Sequence, residues 1–354
     1  MTATSPFNIV QTLVPCQNLN RTIAWFQKTL GLRLEIIFPA DDPTTAVMSG
    51  HGLTLRLERS DELTAPTIRL DAAKFGLKPT TLKAPGGTQV VLATNAPAEL
   101  PMIRQSLVVR PSASSQWIAG RAGMQYRDLE PGRQGGRFIA SHIRIPEGGP
   151  VPDYVHYHQV RFQMIYCHRG WVKVVYEDQG PPFVMRPGDC VLQPPEIRHR
   201  VIEASDGLEV IEISCPAEHP TLVEHSFDLP NSQIDENRLF GGQQFISHQA
   251  DAATWHPACP RGFLVRDMGF AAATDCLASA RVIRAARAGF RYTTTSSDEY
   301  HMFYVLAGTA IIVVDETMPH ALFANDAVTL PGKVKVTLTA NVAKTEILEV
   351  TLPA

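Results

Sequence analysis

The chain contains no block of like charges, no Cys-x-x-Cys pair, and no apolar run near the roughly 18 residues that cross a bilayer. Each absence removes a class of function. With a net charge of −3 and both signs interspersed, nothing favours nucleic acid or an anionic membrane surface. The aliphatic stretch "AIIVV" at Ala310–Val314 has the length of a buried strand. The six cysteines, Cys16, Cys167, Cys190, Cys215, Cys259 and Cys276, are scattered, so reduced and mostly buried thiols are expected. The opening "MTATSPFNIVQTLVPCQ" lacks the basic start and apolar run of a secretory signal, and a cytoplasmic protein is expected. No GxSxG, Walker-type or dinucleotide-binding pattern occurs in a suitable context.

What is present is an ordinary globular composition, 44% apolar and 19% charged over 354 residues, enough for two or three domains. Residues 7–100 read as one unit. It begins with a strand in "FNIVQTLVPC" and a helix in "NLNRTIAWFQKTLGL", where Asn18 is an N-cap and Ile23, Trp25, Phe26 and Leu30 recur at helical spacing. Strands follow in "RLEIIF", "TTAVMSG", "GLTLRLER" and "GTQVVLAT". A Pro/Ser-rich stretch at 101–120 marks a boundary. Beyond it the chain is mostly short strands broken by Gly and Pro, the pattern of a β-sandwich or barrel.

That region repeats itself. "YRDLEPGRQGGRFIASHIRI" at 126 is echoed at 265, "YCHRGWVKVVYED" by "YVLAGTAIIVVDE", and "RPGDCVLQPP" by "FANDAVTLPG", at an offset between 137 and 139 residues. Two copies of one β-rich unit therefore make up the C-terminal part. Within the first copy, "VHYHQVRFQ" sets His156 and His158 two residues apart. On a strand both imidazoles project from one face and, in a barrel interior, converge on a point that neighbouring strands can complete.

With these residues the first copy resembles the cupin superfamily. Its first motif is matched by Gly149, His156, His158, Gln163 and Gly170, and its second by Gly188, Pro194 and His199. The departures are six residues rather than five between Gly149 and His156, Glu196 where a glycine is usual, and Gln163 where a glutamate is usual. The resemblance implies one divalent transition metal held by His156, His158, Gln163 and His199. Iron is the first expectation; manganese, nickel, zinc or copper also suit three imidazoles and an oxygen donor. A neutral amide leaves the metal's charge uncompensated, which strengthens it as a Lewis acid; some cupins that process unsaturated uronates use this ligand set. In the second copy the ligand positions fall on Thr294, Ser296, His301 and Val336, so that copy is expected to be degenerate and structural.

Around the expected site, Tyr154 and Tyr166 are candidate catalytic residues, as acid/base or hydrogen-bond donors. Arg144, Arg161, Gln193 and Arg198 are candidate substrate-binding residues, the arginines because a guanidinium grips a carboxylate with two bonds. Cys167 and Cys190 read as structural thiols, and His168 is not counted as a ligand. The first hundred residues resemble the vicinal-oxygen-chelate module of the glyoxalase and bleomycin-resistance group, whose metal positions would fall on Gln11 and Glu58. Two ligands are too few, so a structural or dimerising module is expected.

The expected architecture is mainly β: two tandem cupin β-barrels (double-stranded β-helix), residues 106–245 and 246–354, preceded by a small α+β module of βαβββ order, residues 1–105. The expected function is a metal-dependent cupin enzyme acting on a small oxygenated metabolite, a non-haem Fe(II) dioxygenase first. A redox-neutral isomerase or lyase and a non-catalytic ligand-binding bicupin are the alternatives. The resemblance further implies a homodimer; a small-molecule substrate is expected, with no nucleic acid and no membrane.

Overall fold

The computed structural model describes residues 10–60, 64–94, 100–120, 123–258, 262–297 and 299–352; Cys259 lies outside them. The chain divides into two compact units, Met1–Ala98 and Glu99–Ala354.

In the first unit the helix Leu19–Leu30 starts at Asn18, whose side chain accepts from the Arg21 backbone N–H at 2.9 Å, and ends at Gly31 in the left-handed region. Its spacing buries Leu19, Ile23, Phe26 and Leu30 in one core with Val14, Met48, Leu55 and Leu57. Strands run in the order Thr12–Cys16, Leu53–Arg59, Thr45–Gly50, Arg33–Phe38, the first pair parallel. This is the expected β-α-β-β-β succession. Two further strands, Thr67–Asp71 and Thr80–Lys83, join Gln89–Ala93 in a three-stranded sheet whose first and last members are again parallel. The second half of the unit is thus a shortened echo of the first. It escaped the sequence reading because four- and five-residue strands are too short to show alternation. Gln11 is half-buried, and the Glu58 carboxylate takes Arg56 Nε at 2.5 Å. Among the described residues Glu58 joins no group of three metal-donor side chains.

The second unit consists of two β-barrels, each made of two facing sheets. In the first, a seven-stranded sheet containing Ile139–Ile145, Phe162–Arg169 and Leu208–Cys215 faces a sheet containing His156–His158, Val172–Tyr176 and His199–Ala204. In the second, Ser279–Ala285, Tyr300–Ala307 and Glu346–Leu352 face Arg291–Thr295, Thr309–Val314 and Lys335–Ala340. The barrels exchange edge strands. Val108–Arg110 pairs with Ala327–Thr329 of the second barrel, and Ile246–His248 with Cys190–Leu192 of the first. Each therefore crosses the boundary drawn from the repeat, covering a sheet edge that would otherwise expose unpaired backbone groups. Outward-facing residues of both barrels share one core, in which Phe138 stacks on Tyr300 at 4.3 Å and Phe162 meets Phe270 edge-on.

That shared region holds a buried acid. Glu130 is fully buried, and loss of hydration pushes its carboxyl up to about 7; Thr329 opposes the rise, and the Asp128 charge adds to it. An acid with a raised folded-state value binds its proton more tightly folded than unfolded. Its contribution is intact below the ordinary carboxyl range and is lost as pH climbs from about 4.5 towards 7. Glu130→Gln is expected to raise stability at pH 8 by on the order of 3 kcal/mol, and far less at pH 5. Urea unfolding at the two pH values checks this; an equal gain at both would contradict it.

Candidate metal centre

His156 and His158 alternate on one short strand, and His156 lies directly across the antiparallel ladder from His199. Their rings sit 4.3 to 5.2 Å apart by centroid, and one nitrogen of each falls within 4.8 Å of the others. All three are buried. Each has an outer partner on Nδ1. That of His156 donates to the Tyr154 carbonyl at 2.8 Å, with Asp153 at 3.5 Å; that of His199 donates to the Ile197 carbonyl at 3.0 Å; that of His158 bonds to the Thr221 hydroxyl at 2.9 Å. Holding Nδ1 from behind fixes the ring orientation and turns Nε2 to the common centre, as second-shell groups do in metal sites.

Gln163 comes from the facing sheet. Its amide nitrogen donates to Glu212 Oε1 at 2.7 Å, which turns its carbonyl oxygen the other way; there Gln193 Nε2 donates to it at 2.9 Å. The same Gln193 nitrogen lies 3.1 Å from His199 Nε2, and Gln193 Oε1 accepts from the Tyr176 hydroxyl at 3.0 Å. A single –NH2 group thus serves two acceptors that a cation would also satisfy. Three backed imidazoles and an amide oxygen beside His199 form a donor set that fits a divalent transition metal. The carboxylate absent from the usual ligand position stands one step back, as Glu212.

Glu196 explains one departure from the motif. Its φ of 62° lies in the left-handed region that favours glycine. The conformation is held by its backbone N–H donating to the His158 carbonyl at 3.0 Å, so the turn ties the two motif segments together.

A cavity of about 470 Å³ opens from this centre into the barrel. Tyr154, half exposed, and Gln193 line it. Tyr166, Arg144, Arg161 and Arg198 do not; for Tyr166 and Arg144 the reason is strand alternation. Tyr166 follows the inward-facing Ile165 and so points outward into the core shared by the barrels, where burial pushes its hydroxyl well up. Arg144 sits between inward Ile143 and Ile145; it stacks on Trp117 at 4.1 Å and donates to Gln125. Arg161 is paired with Glu299 of the second barrel at 2.6 Å, and Arg198 with Glu177 at 3.3 Å. Cys167 and Cys190 are fully buried, and burial lifts the Cys167 thiol to about 12. His168 bonds to Asn325 of the second barrel, away from the centre.

Sequence reasoning missed Glu212, Tyr176, Thr221 and His219, all of which line the cavity. Glu212 left a signal: its counterpart in the repeat is Glu349. In the second barrel the register places Thr294 across from Val336, as His156 lies across from His199. His301 occupies the place of Gln163, and its Nε2 bonds to Glu349 Oε1 at 2.9 Å, as Gln163 bonds to Glu212. Across from Glu349 stands Arg281, whereas Ser141 stands across from Glu212. The Arg281 guanidinium binds Glu349 at 2.5 Å and the Tyr292 hydroxyl at 2.6 Å. In the second barrel a guanidinium thus pairs with the carboxylate that corresponds to Glu212.

Comparison with known proteins bears on the fold. Residues 141–214 match the family model described as "Cupin domain". No curated protein matches the chain by sequence. The chain is similar to Bacillus subtilis oxalate decarboxylase, in a structure concerned with its Mn(II) centres, at 13% identity and a TM-score of 0.51, covering 71% of this chain and 78% of that one. It is similar to salicylate 1,2-dioxygenase from Pseudoaminobacter salicylatoxidans at 13% identity and a TM-score of 0.51, covering 72% and 85%. Protein Ylba from E. coli is similar at 10% identity and a TM-score of 0.50, covering 72% and 93%. At such identities the likeness carries the fold, and that fold is a tandem pair of cupin β-barrels, with a cupin domain in the first.

Proposed function

We propose that the chain is a metal-dependent oxygenase whose working centre is His156, His158, His199 and Gln163 in the first barrel, with Fe(II) as the metal. The observation that carries the reading is the set of three imidazoles, each backed through Nδ1 and buried at the head of the barrel cavity. When bound, the metal supplies a Lewis-acid centre and, as Fe(II), redox chemistry with dioxygen. The chain does the rest. The imidazoles and amide are neutral and leave the charge of a chelating substrate to balance that of the centre. Glu212 holds the Gln163 amide in place, and the Tyr176–Gln193 pair holds its oxygen. The aliphatic side chains of the walls lower the local polarity, which strengthens polar contacts at the head of the cavity. Tyr154 stands at the opening within reach of an entering substrate.

One neighbour in fold is a salicylate dioxygenase and another an oxalate decarboxylase, so both oxidative and redox-neutral chemistry occur on this architecture. Glu212, a carboxylate facing the cavity, favours a second reading as a redox-neutral isomerase or lyase in which a side chain carries the proton. Oxygen uptake by the iron-loaded chain with catechols, gentisate-like compounds and diketones separates the two. Uptake supports the oxygenase; turnover that persists without oxygen and with zinc in place of iron supports the alternative. The N-terminal unit is read as a vicinal-oxygen-chelate-like structural module, on its strand order and its shortened second half.

A further inference from the structure

We infer that the first barrel takes a compound with one small chelating oxygen head and an uncharged, apolar tail, the tail lying in a layer of side chains trimmed to receive it. The inference rests on the proposed metal centre for the head and on the barrel interior for the tail.

One step further along each strand from the centre, where alternation returns the side chain to the interior, stand Ile143, Ile165, Val174, Val201 and Val210. All five line the cavity, and beyond them Ile145, Val172, Met185 and Leu208 close it with buried walls. The second barrel supplies an internal control. Its strand registers place Ile283, Phe303, Ile312, Leu338 and Ile347 at the same five positions. Four of the five are larger than their counterparts, and all five belong to a filled core cluster. Two copies of one fold thus differ in the same layer and in one direction: where the metal donors are kept the layer is small, and where they are lost it is packed shut. A void lined by aliphatic groups offers water no hydrogen bonds and is best filled by an apolar group.

Charge points the same way. No lysine or arginine is among the lining residues, and the one carboxylate there is Glu212. A single negative charge on the head meets the centre directly. A second charge on the tail would be buried among aliphatic groups with no cation to meet, at heavy cost in lost hydration.

Three probes separate head from tail in the metal-loaded full chain, followed by calorimetry. Acetohydroxamate reports the head alone, benzohydroxamate adds an apolar ring, and para-carboxybenzohydroxamate adds a charge to that ring. Benzohydroxamate is expected to bind at least tenfold more tightly than either of the others. Val201→Leu, which installs the second barrel's residue, is expected to keep the metal and the acetohydroxamate affinity while weakening benzohydroxamate at least fivefold; Val174→Ile serves the same purpose should Val201→Leu fail to fold. A ring that adds no affinity, or a ring carboxylate accepted as well as the bare ring, overturns the inference and leaves the metal reading standing. A chain that takes up no metal overturns that reading instead. The layer is then judged by toluene binding in NMR, expected for the native chain and lost in Val201→Leu; toluene binding equally to both, or to neither, overturns it.

Discussion

His199→Ala is expected to give a folded chain that holds no metal and turns over substrate at least a hundredfold more slowly. His199 is the donor contributed by the second motif, some forty residues from the paired histidines, and its ring is fixed by the Ile197 carbonyl on one side and the Gln193 amide on the other. Two imidazoles and a neutral amide hold a divalent ion far more weakly than three imidazoles do, since no charged ligand remains to compensate. Loss of outer-shell partners alone costs roughly 10–100-fold in affinity or activity at metal sites, and loss of a ligand exceeds that. Folding suffers less. The Gln193 amide loses one acceptor, which costs about 1–3 kcal/mol, while the surrounding ladders keep their backbone bonds. Elemental analysis, circular dichroism and steady-state rates on one preparation distinguish the outcomes. Retained metal in His199→Ala would remove this residue from the site.

In the other barrel the large effect is on stability. Glu349→Ala is expected to destabilise the chain by about 3–5 kcal/mol, because it strands the Arg281 guanidinium and the buried His301 ring without their shared carboxylate. Only Glu349 and His301 are fully enclosed; Arg281 is one-third exposed and can partly rehydrate, which places the cost towards the lower end of that range. The Glu349 carboxyl is held below its ordinary range in the folded protein although burial pushes it up, because the His301 and Arg281 bonds outweigh the loss of hydration. A carboxyl so lowered contributes stability above its ordinary value and loses it as pH falls through the folded one. The destabilisation is therefore expected at pH 7 and should shrink under acid conditions. Thermal unfolding tests it, with metal content as a control that should not change. A variant as stable as the native chain would mean that this network is solvent-screened and idle.

Much of this arrangement was legible in the residues, and what was not has identifiable physical causes. The His-x-His pair was legible because a two-residue spacing on a strand puts both rings on one face, and His199 was joined to it by the resemblance to the second cupin motif. The repeat offset carried the degenerate positions across correctly: Thr294 and Val336 do face each other as His156 and His199 do. Arg144 went astray because proximity in sequence says nothing of which side of a sheet a neighbour occupies; it is one residue from an inward-facing position and therefore points out. Tyr166 failed for the same reason. Glu212 could have been found by extending the repeat to the last strand, where Glu349 marks the same place. The Arg281 partner of Glu349 could not, since the offset slips by one or two residues between strands and only the ladder shows that the two oppose each other. The edge strands exchanged between barrels, Val108–Arg110 and Ile246–His248, were invisible because three residues carry no periodicity.

The first barrel is expected to hold one metal and the second none. This is tested most directly by elemental analysis of the full chain purified without added metal, side by side with His156→Ala and His301→Ala. One transition-metal ion per chain in the native protein, retained in His301→Ala and lost in His156→Ala, is the predicted result. Metal absent from the native chain, or lost from His301→Ala and kept in His156→Ala, would contradict it.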